Sequence, residues 1–270
     1  SIIGGVAEIT PALRAQISER YGLDDPPLTQ YFGYVGGLLH GDLGTSYTLR
    51  RPVAEALAQQ LPNTMMLLLC ATVLAVAIAV VVSLVTAHRA HWVRATFQSI
   101  ESIGVAIPSF WLGLMLITVF SFGLRLFPST GAGGFSALVL PSIALAVPVA
   151  ATLSQVMRDS LEKTLDEPFI VAVRARGAGE GVVRVGHALR HSLVSAVTLV
   201  GWLSGTLIGG AVIVEQVFAR PGIGRLTFSA VLGKDMPLVL GVVVVAAAFY
   251  VVVNTVVDLL YPLIDRRLKP

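Results

Sequence analysis

Apolar runs long enough to cross a membrane alternate with short polar segments along this chain. Residues 62–87 carry no charged side chain, and a run of that length spans a hydrocarbon core of about 30 Å as a tilted helix. Further runs at 102–124, 138–157, 192–214 and 237–260 give five expected spans inside a transmembrane unit covering 62–264. Residues 1–61 are more polar and are punctuated by Pro11, Asp25-Pro26-Pro27 and Gly36-Gly37. Short helices are expected at 11–21, where Thr10 can cap and Pro11 suits the first turn, and at 28–39. Residues 265–270 form a short tail.

One polar island, residues 158–191, separates the third span from the fourth. Ionised side chains are costly in hydrocarbon, so the island is expected in water. Phe169, Ala172 and Val173 form one apolar stripe at helical spacing, and Val182, Val183, Val185 and Leu189 form another. Between them lies the breaker Gly177-Ala178-Gly179-Glu180-Gly181. The pattern predicts helix, turn and helix lying at the membrane surface and offered to a soluble partner; the plain alternative is a solvated connection. Within the spans, Pro108 is expected to kink the second, and Pro141 and Pro148 to break the third. Gly201, Gly205 and Gly209 put small residues on one stripe of the fourth, which allows close helix packing. Asn254 and Asp258 share one face of the fifth.

Composition agrees with a membrane protein. Of 270 residues, 55% are apolar and 13% charged, with mean hydropathy +0.80, against about 25% charged in soluble domains. The net charge of +3 is modest, and the basic residues cluster beside apolar runs, which points to membrane orientation rather than nucleic acid. The single Cys70 excludes an intrachain disulfide. No G-x-x-x-x-G-K-[ST] phosphate loop occurs, so the chain is not expected to bind ATP. His88 and His91 lack an acidic or thiol companion, and His187 and His191 lack an intervening glutamate. No metal site, catalytic site or cofactor is expected.

Several motifs resemble the permease subunits of binding-protein-dependent ABC importers, in their peptide and nickel form. Phe169-Ile170-Val171-Ala172-Val173-Arg174-Ala175-Arg176-Gly177, followed after nine residues by His187-Ala188-Leu189-Arg190-His191, is similar to that family's EAA loop. Gly41-Asp42-Leu43-Gly44-Thr45-Ser46, then Arg51-Pro52-Val53 and a short amphipathic helix at Glu55-Ala56-Leu57, is similar to its first outer segment. Pro108-Ser109-Phe110-Trp111-Leu112-Gly113, the run Glu215-Gln216-Val217-Phe218-Ala219-Arg220-Pro221-Gly222-Ile223-Gly224-Arg225-Leu226, Asp235-Met236-Pro237-Leu238 and Asp258-Leu259-Leu260-Tyr261 match further motifs. The chain departs from the pattern at Val171, Val173 and Ser195, and lacks the usual proline between Asp265 and Arg266.

The resemblance implies an all-α type I importer permease fold with six membrane helices, one of them ahead of Ser1. It implies a second homologous permease as heterodimer partner, two cytoplasmic ATPase subunits that hold ATP and Mg, and an external substrate-binding protein. The coupling helix received by an ATPase is expected to centre on 175–184. The coupling residues would be Ala172, Arg174, Ala175, Arg176, Gly177, Ala178, Gly179, Glu180, Val183, Arg184 and His187. Ser109, Gln155, Trp202 and Asn254 are candidates for the pathway, and Asp42, Arg220 and Arg225 for docking the binding protein. Asp42 also reads as a turn residue, Pro108 as a packing kink, and Glu215 as either half of a structural pair or a pathway mouth. The loop charges put the island and the C-terminus in the cytoplasm and 1–61 outside a bacterial inner membrane, although 220–234 carries three basic residues outside. Di- or oligopeptides are the cargo suggested first; nickel, glutathione and similar solutes are alternatives. An ion-coupled secondary transporter would need buried carboxylates at mid-membrane, and Glu215 and Asp258 lie near span ends. A structural or insertase-type protein would need no coupling segment.

Overall fold

The computed structural model describes residues 26–131 and 133–264, with side chains to 259. The helix expected at 11–21 and the tail 265–270 lie outside the described residues. The order is α1 (Pro27–Leu39), α2 (Val53–Thr86), α3 (His91–Ala106), α4 (Ser109–Leu116, continued by a π-helical turn Ile117–Gly123), α5 (Ser136–Leu165), α6 (Pro168–Ala175), a π-helical turn Val182–Ala188 leading directly into α7 (Leu189–Val217), α8 (Ile223–Leu232) and α9 (Met236–Ile264). Among the described residues there is no strand, only an isolated bridge from Thr45 to Pro52.

The first span differs from its expected form. Pro52 fixes the start of α2, and the amphipathic turn at Glu55-Ala56-Leu57 and the apolar run form one helix of 34 residues with Pro62 inside it. At 1.5 Å per residue that is roughly 51 Å, so its first turns stand clear of the hydrocarbon. The second span is not kinked but broken. Ile107 and Pro108 are extended, because the residue before a proline is pushed out of helical geometry, and α3 and α4 meet at 100°.

The third span runs unbroken through Pro141 and Pro148. α5 packs against α2, α3, α4 and α7, and its apolar window is 61% buried, more than any other span. These neighbours keep it helical although each proline removes one helical hydrogen bond. Elsewhere hydroxyls inside the apolar helices bond back one turn: Thr118 to the Leu114 carbonyl, Thr152 to Pro148, Thr255 to Val251. That satisfies them without water.

Packing fixes the two ends of the bundle. Ala87 after α2 joins Leu161 and Leu165 at the end of α5, Ile170 and Val173 of α6, and Val183 and Ala188 before α7. At the other end Val53 and Leu57 of α2 join Ala230 of α8 and Leu238 and Val242 of α9. α2 and α5 therefore finish on the same side, and the broken α3–α4 pair must carry the chain back across. Its contacts rise in that order. Arg94 meets Glu162, Gly104 abuts Ala151, Gly113 abuts Phe218, and Gly131 donates to the Phe218 carbonyl. Counted so, the described residues make five crossings.

Two polar ties hold this arrangement. The first corrects the expectation that the segment from Arg158 onward lies in water. Arg158 is buried on α5, and its guanidinium donates through Nη1 and Nη2 to Oε1 and Oε2 of Glu101 on α3, at 2.8 and 2.7 Å. Ser154 adds a third bond to Glu101 at 2.9 Å. The counter-charge sits in another helix, so no local pattern announces it. The second tie is Asp235, fully buried just before α9. It accepts from the Ser46 hydroxyl at 2.5 Å and the Thr48 N–H at 2.9 Å. Burial alone would push its carboxyl up, but bonds from Ser46, Thr48, Tyr47 and Leu238 outweigh that and hold it below the usual carboxylate range.

Breaking one partner of a buried pair strands the other charge, at a cost of about 3–5 kcal/mol. Arg158→Met is expected to lower thermal stability in detergent by that order, and Arg158→Met with Glu101→Leu by clearly less, read from the two melting curves. Asp235 has a depressed folded pKa, so its contribution is complete above the unfolded value of about 3.9 and is lost as pH falls through the folded one. Melting temperature is expected to drop below about pH 4 in the wild type, and Asp235→Asn is expected to be less stable at neutral pH with a flatter acid limb.

Candidate functional site

The polar island folds as a compact two-part element under the end of the bundle. Pro168 starts α6 at a position where its missing N–H costs nothing. Three features end it after Ala175: Gly177 at φ +85°, Gly177 N–H donating to the Arg174 carbonyl, and Ala178 N–H donating to that of Val173. This is a Schellman stop, and Ala178 completes it by packing on the same apolar cluster as Val173. The segment 175–184, expected as the centre of a helix, is therefore interrupted: 176–179 form a turn, and helix resumes at Glu180. The helix ahead of the turn is Pro168–Ala175, because a left-handed glycine cannot continue it.

The apolar phase also differs from the expected stripes. Ile170 and Val173 point into the bundle, while Phe169 is 40% exposed and packs on the His191 ring at 5.5 Å. After the turn, Val183 and Ala188 are buried, whereas Val182 and Val185 are each 57% exposed. Val183 and Ala188 are five apart, the hydrogen-bond spacing of the π-helical turn in which they lie. A reading at 3.6 residues per turn cannot find that face.

The expected coupling residues divide into two groups. Ala172, Arg174, Ala175, Arg176, Gly177, Gly179, Glu180 and His187 are exposed and Ala178 is half-buried, so these are available at the tip. A Cβ on Gly177 or Gly179 would meet open space. Val183 is fully buried and faces the bundle, not a partner. Arg184 also turns inward: Nη1 donates to the carbonyls of Leu84 at 3.1 Å and Ala87 at 3.0 Å. Glu180 accepts from Arg174 Nε at 2.8 Å and lies 3.8 Å from Arg184 Nε. The Arg174 bond is the main cause holding its carboxyl below the usual range. Beside this element Arg94 pairs with Glu162 at 2.9 Å and His88 lies 3.5 Å from Asp166. Those cross-helix partners carry no motif that a sequence reading finds.

At the opposite end, Glu215 is fully buried near the close of α7. Its Oε1 accepts from Thr64 at 2.6 Å and its Oε2 from the Arg225 N–H at 3.2 Å, while Thr64 accepts the Ile223 N–H at 2.8 Å. The carboxylate thus sits at the amino end of α8, where free N–H groups and the helix dipole favour negative charge. A Cβ on Gly222 would overlap the carboxyl, and one on Gly224 would overlap the backbone of Val212, which is why the turn carries glycine at both places. Of the two readings of Glu215, the structural partnership is the one present.

The remaining candidates disperse. Arg220 is 3% exposed, tucked in beside Glu215, and cannot dock a partner from this position. Arg225 is exposed and donates to the Ala219 carbonyl. Asp42 is exposed and accepts from the Gly44 N–H at 2.8 Å, the bond of a turn residue. Ser109 lies beside Gly210, whereas Asn254 lies beside Gly201, roughly 13 Å away along α7. Gln155 is half-buried and Trp202 is 67% exposed. An almost wholly apolar cavity of about 510 Å³ opens between α2, α7 and α9, and none of these candidates lines it.

Comparison with known proteins accounts for this arrangement. Residues 75–270 match the family described as the binding-protein-dependent transport system inner membrane component. A putative peptide transport system permease protein of Brucella abortus is 35% identical over 96% of this chain and 86% of its own length. The oligopeptide transport system permease protein AppB of Bacillus subtilis is 36% identical over 97% and 87%, and the glutathione transport system permease protein GsiC of Escherichia coli 34% over 94% and 83%. Among solved structures, the MetNI methionine ABC transporter in an inward-facing form aligns with TM-score 0.59 at 20% identity, covering 79% of this chain and 94% of that one; at that identity it speaks for the fold alone. The chain belongs to the family of binding-protein-dependent transport system inner membrane components, and it is an ABC importer permease, a transport subunit rather than an enzyme.

Proposed function

We propose that this permease forms half of a translocation pathway for di- or oligopeptides, with a second homologous permease as the other half. Two ATPase subunits, holding ATP and Mg, dock on the tip formed by α6 and its turn. An external binding protein delivers the substrate at the opposite end, near Asp42, Arg225 and the start of α8. The α6 end lies in the cytoplasm of a bacterial inner membrane and the α8 end outside it, in line with the basic residues around the island and in the tail.

The observation that carries this reading is the Schellman-stopped helix α6. It is short and ends abruptly, and its outer face, with Val171, Ala172 and Arg176, is exposed among the described residues. Its inner face is fixed to α2, α5 and the start of α7 through Ile170 and Val173. A partner pressing on the outer face would therefore move spans rather than a loose loop. Peptide cargo rests on the relatives from Brucella abortus and Bacillus subtilis, whose names specify peptide and oligopeptide transport, and on a glutathione permease, which handles a tripeptide. An ion-coupled carrier is disfavoured because the Glu215 carboxylate is already committed to Thr64 and the α8 amino end.

Two measurements test the reading. In proteoliposomes of the complete transporter, unlabelled peptides of two to six residues are expected to compete with a labelled dipeptide; competition by nickel alone would reject peptide cargo. Gly177→Trp forces a side chain into a left-handed backbone position, at about 1–2 kcal/mol, and fills the open space at the tip. It is expected to insert and pair normally but to lose ATP-driven uptake; normal uptake would reject the tip as the ATPase contact.

A further inference from the structure

We infer that Arg184 is a positioning residue that ties the ATPase-facing turn to the carboxyl end of α2, so that motion entering at the tip is delivered to the corner between α2 and α3. The inference rests on the permease reading above and adds to it where in the membrane part the motion arrives.

The backbone of that corner explains why an arginine is needed. The last carbonyls of a helix have no partner inside it. In α2 the Ser83 carbonyl takes the Ala87 N–H, and that of Thr86 takes the Arg89 N–H. The N–H that would serve Leu84 belongs to His88, which instead donates to Glu162 on α5 at 3.3 Å. His88 itself stands at φ +52°, a left-handed step uncommon outside glycine. The chain leaves the helix there, and the Leu84 and Ala87 carbonyls are orphaned. Arg184 closes both with one guanidinium nitrogen, and its charge complements the negative end of the helix.

The same corner is gripped from α5. Glu162 accepts the His88 N–H and pairs with Arg94 at the start of α3, and Asp166 lies by the His88 ring. Arg184 is joined to the tip through Glu180, which it approaches at 3.8 Å and which bonds Arg174 on α6. A continuous polar chain therefore runs from α6 through Glu180 and Arg184 to α2. From the corner, α3 leads through Glu101 and Arg158 to the 100° break at Ile107-Pro108.

Docking of the turn does not depend on this tie. Val183, the preceding residue, is fully buried in the cluster with Ala87, Leu161 and Ile170. The Arg184 side chain is 20% exposed and contributes orientation rather than core. Its loss should leave assembly intact and loosen the link.

The test uses the reconstituted complete transporter. Arg184→Gln is expected to assemble and to hydrolyse ATP, while labelled dipeptide imported per ATP falls roughly fivefold or more, the range of an ordinary coupling free energy. Arg184→Lys, which keeps the charge but not the fork, is expected to fall between the two. Uptake and hydrolysis declining in equal proportion, or neither changing, would overturn the assignment. A second measurement leaves Arg184 in place: nitroxides at the exposed positions Arg89 and Val185 are expected to keep one interspin distance in resting and ATP-trapped complexes. A distance that changes between those states would overturn the proposal even if Arg184→Gln fails to assemble. A wild-type complex with no ATP-dependent uptake would instead overturn the permease reading itself, and the role of Arg184 with it.

Discussion

Hydrocarbon imposes the rule on which this bundle depends: a charged or hydrogen-bonding group withdrawn from water must be matched by a partner carried on the protein. In four places the partner is supplied from far along the chain. Arg158 of α5 is matched by Glu101 of α3, Asp235 before α9 by Ser46 and Thr48, Glu215 of α7 by Thr64 and the amino end of α8, and the open end of α2 by Arg184. Apolar side chains alone define no unique neighbour in a bilayer, because lipid tails are as apolar as leucine. These directional contacts select which helix end meets which, and small residues such as Gly104 and Gly210 then let the backbones close up.

The spans, the polar island and the glycine turn were legible in the sequence because each is written locally: as length without charge, as a cluster of charges, and as a breaker. Partnership between distant residues was not. Arg158 opens a charged stretch and reads as solvated until α3 brings Glu101 beside it. Arg220 sits among exposed-looking loop residues and reads as a docking contact until the fold buries it beside Glu215. The proline effects failed in both directions for one reason. Pro108 breaks its helix because its poorly enclosed surroundings tolerate an extended step, while Pro141 and Pro148 stay helical because α5 is enclosed on its flanks. The face of the second island helix was missed because its period is that of a π turn.

The two ends of the bundle are built for different tasks. At the α8 end the ties are buried and short: Asp235, Glu215 and Thr64 lock α2 and the first turns of α8 and α9 into one block. At the α6 end the ion pairs around the apolar cluster, Arg94 with Glu162 and Arg174 with Glu180, are partly exposed. Exposed pairs contribute little to stability and are screened by salt. They orient the tip without making it immovable.

The break in the second span gives this asymmetry a mechanical meaning. α3 is buried only at Glu101 and Gly104, and α4 only at Gly113. Each half-span therefore rests on its neighbours along one narrow line, α3 on α5, and α4 on α5 and the end of α7. A continuous helix would transmit tilt along its length. Two half-helices meeting at 100° with an extended residue between them can change their angle at the cost of a few backbone torsions, and no helical hydrogen bond need be broken at Pro108, which has no N–H to give. This weakly enclosed break thus lies one helix, α3, beyond the corner that the tip, through Arg184, and α5, through Glu162, both hold.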